Sequence, residues 1–286
     1  MLALVRCVPG SKRFAIACLA LPLLLICGCT DLDEITQFAK ASQSVGGAFP
    51  AMADEAAASC TQANSFLTPQ LNTPLPCDAY TKLNPALAKV NAALFNYIAS
   101  LGKLAADDLS KVTGGMDTLS DELTAADPGI STTDQAKASA ANSLAKAITS
   151  IWANGYRQHA LSKIIGDNKQ VVQDVARFLS DNAAGKYLQS LQDEWRYETV
   201  YCTNAASAAE PLASDLLARK CAADHSRIEL KIKAIKSYRA ALETIKKTHA
   251  TLNQERGHWD AKQLSKELAP EIISLGSAAV SVNQAF

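Results

Sequence analysis

The amino-acid sequence predicts an all-α protein: an elongated antiparallel bundle of long, partly kinked helices with coiled-coil-like seams. Three observations carry this expectation. Beyond residue 30, apolar residues recur at three- and four-residue spacing almost throughout, and no stretch sustains the two-residue alternation of a strand. The chain is poor in helix breakers and aromatics, with 13 Gly, 10 Pro and 6% aromatic residues among 286. Near the C-terminus, Ile228, Ile235, Leu242 and His249 fall seven apart, with Tyr238, Ile245 and Leu252 in the complementary positions. That is the pattern of a helix-packing seam.

The elements follow in order. Ile35, Phe38, Ser42, Val45, Phe49 and Met52 keep a helical period. Gly46, Gly47 and Pro50 predict a kink or break within it, and the stretch should end near Cys60. Thr68-Pro69 to Leu75-Pro76-Cys77 reads as a proline-rich connection. Asn84 as N-cap and Pro85 in the first helical position predict the start of a second helix. Its stripe runs through Leu87, Val90, Leu94, Tyr97, Leu101 and Leu104, then Leu109, Val112, Met116, Leu119 and Leu123, before a turn at Asp127-Pro128-Gly129. That makes about 40 residues, or about 60 Å.

A third stretch opens on a capping box at Thr132 and Gln135 and carries Leu144, Ile148, Ile151 and Trp152. It should split near Gly166-Asp167-Asn168, then continue through Val171, Val175, Phe178, Leu188, Leu191 and Trp195 toward Tyr201. The seam helix should end near Gly257, followed by a short helix with Pro270 near its start and Ile272, Ile273, Leu275 and Val280 on it. No polar low-complexity linker divides residues 29–286, so one domain is expected there.

The first residues have the parts of a secretory signal. Arg6, Lys12 and Arg13 precede an apolar run from Phe14 to Ile26, and small Gly28 stands before Cys29. The run is shorter than the about 20 apolar residues of a membrane span. Leu25-Ile26-Cys27-Gly28-Cys29 resembles the signals of bacterial lipoproteins, in which a branched aliphatic, a variable residue, Gly or Ala, and Cys stand in that order. The resemblance covers the leader alone, and Cys27 is an unusual occupant of the variable position. It implies that residues 1–28 are removed and that Cys29 becomes an acylated N-terminus bearing diacylglycerol and an N-acyl chain. Thr30, where the enterobacterial sorting pattern has Asp for inner-membrane retention, points to the outer membrane. The competing reading is an uncleaved anchor.

Cleavage there leaves Cys60, Cys77, Cys202 and Cys221 besides Cys29. In an oxidising compartment these make two disulfides, and sequence alone allows three pairings. Spacing favours Cys60–Cys77 and Cys202–Cys221, each closing a short interhelical loop worth roughly 3 kcal/mol by the loop-entropy model. A metal site has little support, because there is no C-x-x-C and no His near either pair.

The formal net charge is +0, but the signs are unevenly placed. Acids dominate from Thr30 to Asp134 and bases from Arg219 to Arg256. Lys231, Lys233, Lys236, Arg239, Lys246 and Lys247 form a candidate face for anionic lipid. The plainer reading is two solvated faces of opposite sign within one bundle.

Motifs for chemistry fail on inspection. Ser143-Leu-Ala-Lys146, Ser180-Asp181-Asn182 and Lys247-Thr248-His249 stand in the order of the penicillin-binding-protein and β-lactamase motifs. The third lacks its glycine and falls within the heptad helix, where those enzymes need a strand. Asp31-Leu-Asp33 begins like an EF-hand loop, but Ser42 stands where the bidentate Glu belongs. His225 and Glu229 share a helix face, and His249 lies on the seam as a packing residue. No cofactor or metal is expected.

Trp195, Arg196, Tyr197 and Tyr201 form the densest polar-aromatic cluster and a candidate protein interface. The functional expectation is therefore a non-enzymatic, lipid-anchored envelope module. Membrane lipid would hold acylated Cys29, and an envelope protein would dock on the helices. Nucleic acid is not expected, and homodimerisation is compatible with the pattern. A BAR-like membrane-shaping dimer is the alternative, and a hydrolase without a linear motif stands behind both.

Overall fold

The computed structural model of the chain describes residues 32–68, 73–106, 140–144, 146–147, 157–257 and 259–286. The leader with Cys29, the stripe from Leu109 to Leu123, the Asp127-Pro128-Gly129 turn, the Thr132 cap, and Ile148, Ile151, Trp152 and His258 lie outside these residues.

The described elements are helices. They are α1 (Asp33–Gly46), α2 (Phe49–Ser65), α3 (Asp78–Ala105), α4 (Arg157–Asp167), α5 (Lys169–Phe178), α6 (Gly185–Ala208), α7 (Pro211–Gln254) and α8 (Ala261–Ala285). A π-helical turn, Leu179–Ala184, joins α5 to α6. Residues 140–144 are also helical, and no β-strand occurs among the described residues. Leu32–Phe286 forms one compact unit, an all-α helical bundle. α1 lies between α3 and α8, α8 packs on α7, and α6 packs on both α2 and α7.

Local chemistry accounts for the boundaries. α1 ends at Gly46, and α2 restarts at Phe49 with Pro50 in its first turn, where the missing N–H is not needed. The break predicted near Gly166 falls at Asn168, whose Nδ2 donates back to the Ile164 carbonyl (2.9 Å). Two prolines act differently from the sequence expectation. α3 starts at Asp78, so Pro85 lies inside it. Asn84 does not cap: its Nδ2 donates to the Ala53 carbonyl (2.7 Å) and its Oδ1 accepts from Tyr187 Oη (2.8 Å). The last helix is 25 residues long with Pro270 in its interior. Its start is set by Asp260, whose side chain accepts from the Gln263 N–H (3.0 Å), just after a turn in which Gly257 takes φ of 92°.

The α7 seam is a core feature. Ile228, Ile235, Tyr238, Leu242, Ile245, His249 and Leu252 are each at most 1% exposed. α7 lies against α5, α6 and α8. Close approach elsewhere needs small residues: a Cβ on Gly102 of α3 would come 2.4 Å from Ala39 Cβ of α1.

Buried polar side chains tie the helices together. Tyr238 Oη donates to Asn91 Oδ1 (2.9 Å), and Asn91 Nδ2 donates to the Gly46 carbonyl at the α1–α2 break (3.1 Å). Ser190 Oγ donates to the Ala56 carbonyl (2.7 Å), and Ser59 Oγ returns a bond to the Ser190 carbonyl (3.2 Å). Tyr97 Oη meets His249 Nε2 at 2.9 Å. Burial holds the Tyr97, Tyr187 and Tyr238 hydroxyls well above the usual tyrosine range, so they stay protonated and can donate.

Candidate functional site: a disulfide-pinned arm and its charged root

α6 and α7 form an antiparallel hairpin that leaves the core before it turns. The buried residues of α7 begin only at Ile228, although the helix starts at Pro211. From Thr199 to Arg227, no side chain whose burial is described is buried. At 1.5 Å per residue, Leu212 stands about 24 Å along α7 from Ile228. With no core of its own, this arm is held by the Cys202–Cys221 disulfide, whose Cα atoms are 6.3 Å apart. Near the turn it presents Leu212, 75% exposed, and Leu216, 61% exposed, one helical turn apart.

The other disulfide, Cys60–Cys77, joins the end of α2 to the start of α3. It straps the connection together with Asn64, which donates to the Leu75 carbonyl (3.1 Å) and accepts from the Leu75 N–H (2.7 Å). Both pairings are the ones favoured by spacing. Beside this strap lies an open groove of about 680 Å³ lined by Tyr80, Lys82, Lys186, Gln189, Ser190 and Asp193.

The root of the arm is electrostatically loaded. α6 turns Glu194 and Glu198 inward, 0% and 1% exposed. Arg227 Nη2 donates to Glu194 Oε1 (2.7 Å) and also approaches Glu55 (3.8 Å) and Asp224 (3.9 Å). Lys231 binds Glu55, and Lys220 binds Asp224. Oε2 of Glu194 and Oε2 of Glu198 are buried without a hydrogen-bond partner. Burial, then the charge and hydrogen-bonding proximity of Asp224, then Glu194, push the Glu198 carboxyl up to about 7. Burial would raise Asp224 as well, but the hydrogen bond and charge of Lys220, with Arg227, hold it below its usual value. His225 Nε2 lies 3.7 Å from Glu198 and 3.3 Å from Thr199 Oγ1, and its ring stacks on Trp195 at 4.4 Å. His225 is thus engaged across the hairpin.

The candidate interface residues divide. Tyr197 packs inward against Ala63 and Phe66, and its hydroxyl donates to the Thr73 carbonyl (3.0 Å). Trp195 is half-buried under His225. Arg196 lies over the Tyr197 ring at 5.2 Å and pairs with Asp193. Tyr201 is 39% exposed with its ring 5.4 Å from Phe66, and of the four only Tyr201 and Arg196 are exposed.

The basic residues of α7 divide too. Lys231 points inward to Glu55, Lys246 pairs with Glu243 (2.7 Å), and Lys247 pairs with Glu271. Arg239 Nε donates to Ser180 Oγ in the π turn (3.0 Å) and lies 3.9 Å from Asp181. Lys233 and Lys236 are exposed. One continuous cationic face does not form, because acids from α2, α7 and α8 are interleaved with it.

The motif candidates sit on helices. Ser180-Asp181-Asn182 is part of the π turn, and Lys247-Thr248-His249 is part of α7 with Thr248 and His249 buried. Asp33 and Glu34 occupy the first turn of α1, where acids complement the helix dipole. Among the described residues, no three His, Cys, Asp or Glu side chains converge as a metal site, and no helix is long and apolar enough to cross a membrane.

The Glu194–Glu198 pair is what sequence reading overlooked. The signal was present: Tyr187, Ser190, Leu191, Glu194, Tyr197 and Glu198 keep the three-and-four spacing of the buried face, so the two carboxylates occupy core positions. No protein-family model, curated protein or solved structure matches the chain.

Proposed function

We infer that this protein is a non-enzymatic lipoprotein of a bacterial envelope, most consistent with the outer membrane. Acyl chains on Cys29 hold it to the bilayer, and the arm engages an envelope protein. The observation that carries the reading is the Leu25-Ile26-Cys27-Gly28-Cys29 signal. Its chemistry is sound: each buried CH₂ contributes about 0.8 kcal/mol, so several chains anchor where one does not. The disulfides suit an oxidising compartment. The arm supports the docking half of the proposal, because it exposes Leu212 and Leu216 where the fold itself has no use for them. The membrane-shaping alternative draws less support, since most basic residues of α7 are neutralised within the bundle.

Mass spectrometry of the N-terminal peptide tests the anchor. The expected product begins at acylated Cys29, and Cys29→Ser leaves the leader uncut. A mature chain beginning elsewhere, without lipid, overturns it. A photoreactive residue at position 212 tests the docking. One envelope protein captured in cells, and lost on Leu216→Asp, is the expected result. Capture of lipid alone refutes the protein partner.

A further inference from the structure

Among the described residues at the root of the arm, four carboxyls, two of them buried, face three permanent cations. From α2 comes Glu55, from α6 come Glu194 and Glu198, and from α7 come Asp224, the permanent cations Lys220, Arg227 and Lys231, and titratable His225. Each permanent cation is bonded to a carboxylate other than Glu198: Lys220 to Asp224, Arg227 to Glu194 and Lys231 to Glu55. Glu198 is left 1% exposed, its Oε2 without a hydrogen-bond partner and with only His225 Nε2, 3.7 Å away, near it, while the negative charge of Asp224 bears on it. Two ionised carboxylates in that position repel, and neither can donate to the other. One added proton removes a charge and supplies the missing donor.

We propose that a single proton, held on Glu198 beside Asp224, clamps α6 to α7 at the root of the arm, and that its release as the surroundings pass from mildly acidic to mildly alkaline loosens the arm from the bundle. The sign follows from the shift. The Glu198 carboxyl ordinarily titrates near 4.5 and stands at about 7 in the fold. The clamp's contribution is therefore complete below about 4.5 and is lost as pH rises through about 7. The location makes the loss a local one. Beyond Glu198 no side chain of the arm whose burial is described is buried, so once the root is charged the two helices are held in register by the Cys202–Cys221 bond and by the half-exposed contact of His225 with Thr199. The proposal concerns the conformation of the hairpin itself and stands whatever the arm's partner is.

The test uses the full chain in nonionic detergent, with two readouts. Infrared difference spectra between about pH 6 and about pH 8 report carboxyl protonation while ordinary carboxylates stay ionised. Hydrogen exchange of peptides from the arm, corrected for intrinsic rates, reports its opening. The expected result is one carboxylic-acid C=O band lost on going to the higher pH, absent in Glu198→Gln. Arm exchange should accelerate roughly tenfold across the same interval in the wild type and stay flat in that variant. Asp224→Asn, which keeps an acceptor beside Glu198 but removes its charge, should move the midpoint to lower pH. The proposal is overturned if the band is missing, if it persists in Glu198→Gln, or if arm exchange shows the same pH dependence with and without Glu198. Should Glu198→Gln not fold, an unmoved midpoint in Asp224→Asn overturns it equally.

Discussion

Removing the Cys202–Cys221 bond should melt the arm and leave the bundle standing. By the loop-entropy model, a disulfide spanning 19 residues is worth about 3 kcal/mol. Where that loss is felt depends on what the bond holds. The segment it closes contains no residue described as buried, so the bundle behind Ile228 can lose no more than the small net stability the arm contributes. The double variant Cys202→Ser/Cys221→Ser should therefore lower Tm by only about 2 °C, less than half of what 3 kcal/mol would give if spread over the whole fold. The same variant should become readily cleaved by trypsin at Arg219 and Lys220. The companion variant Cys60→Ser/Cys77→Ser, whose bond spans 17 residues beside buried Cys60 and the start of α3, should lower Tm by several times as much. The assay is thermal unfolding by circular dichroism with timed proteolysis. Equal Tm losses in the two double variants, or an arm still resistant to trypsin, would show that the hairpin has tertiary support the reasoning omits.

Other perturbations follow from the same structure. Arg227→Met leaves Glu194 buried without its partner and should cost about 3 kcal/mol in urea unfolding, most of it recovered by adding Glu194→Gln; no recovery refutes the pairing. Gly102→Ala places a methyl against Ala39 and should cost about 2 kcal/mol, and Ala39→Gly in the same chain should restore much of it. His249 is fully buried, its Nδ1 has no partner, and burial lowers it from 6.5 to about 4. Its contribution is complete above about 6.5 and lost as pH falls toward about 4, up to about 3 kcal/mol, so His249→Gln should flatten the acid limb of a stability–pH curve measured by chemical denaturation. Glu198 acts in the opposite direction over an overlapping window, and only the single variants separate the two.

The features legible in the sequence were those set by local spacing. The α7 seam, the α1–α2 break at Gly46-Gly47-Pro50 and the two short disulfide loops each depend on residues within a few turns of one another. Prolines misled where a partner far along the chain decided. Asn84 has the chemistry of a cap, but Tyr187 and the Ala53 carbonyl, 103 and 31 residues away, claim its amide. Pro270 marked a start that Asp260 had already supplied. The π turn at Leu179–Ala184 has no composition signature, and it rotates the phase of everything after it. Lys231 shows the limit of counting charges: its position on a basic helix suggested solvent or lipid, while its actual neighbour is Glu55 on α2.

The 44 residues of α7 are spent unequally, with a long rigid overhang ahead of the first core contact at Ile228. Mechanically this is a cantilever. Over about 24 Å of hairpin without a core beneath it, a rotation of about 5° at the root displaces the tip by about 2 Å, enough to seat or unseat a leucine in a pocket. A change confined to a few side chains around Arg227 would be read at Leu212 as a change in position, with no need for the bundle behind it to move.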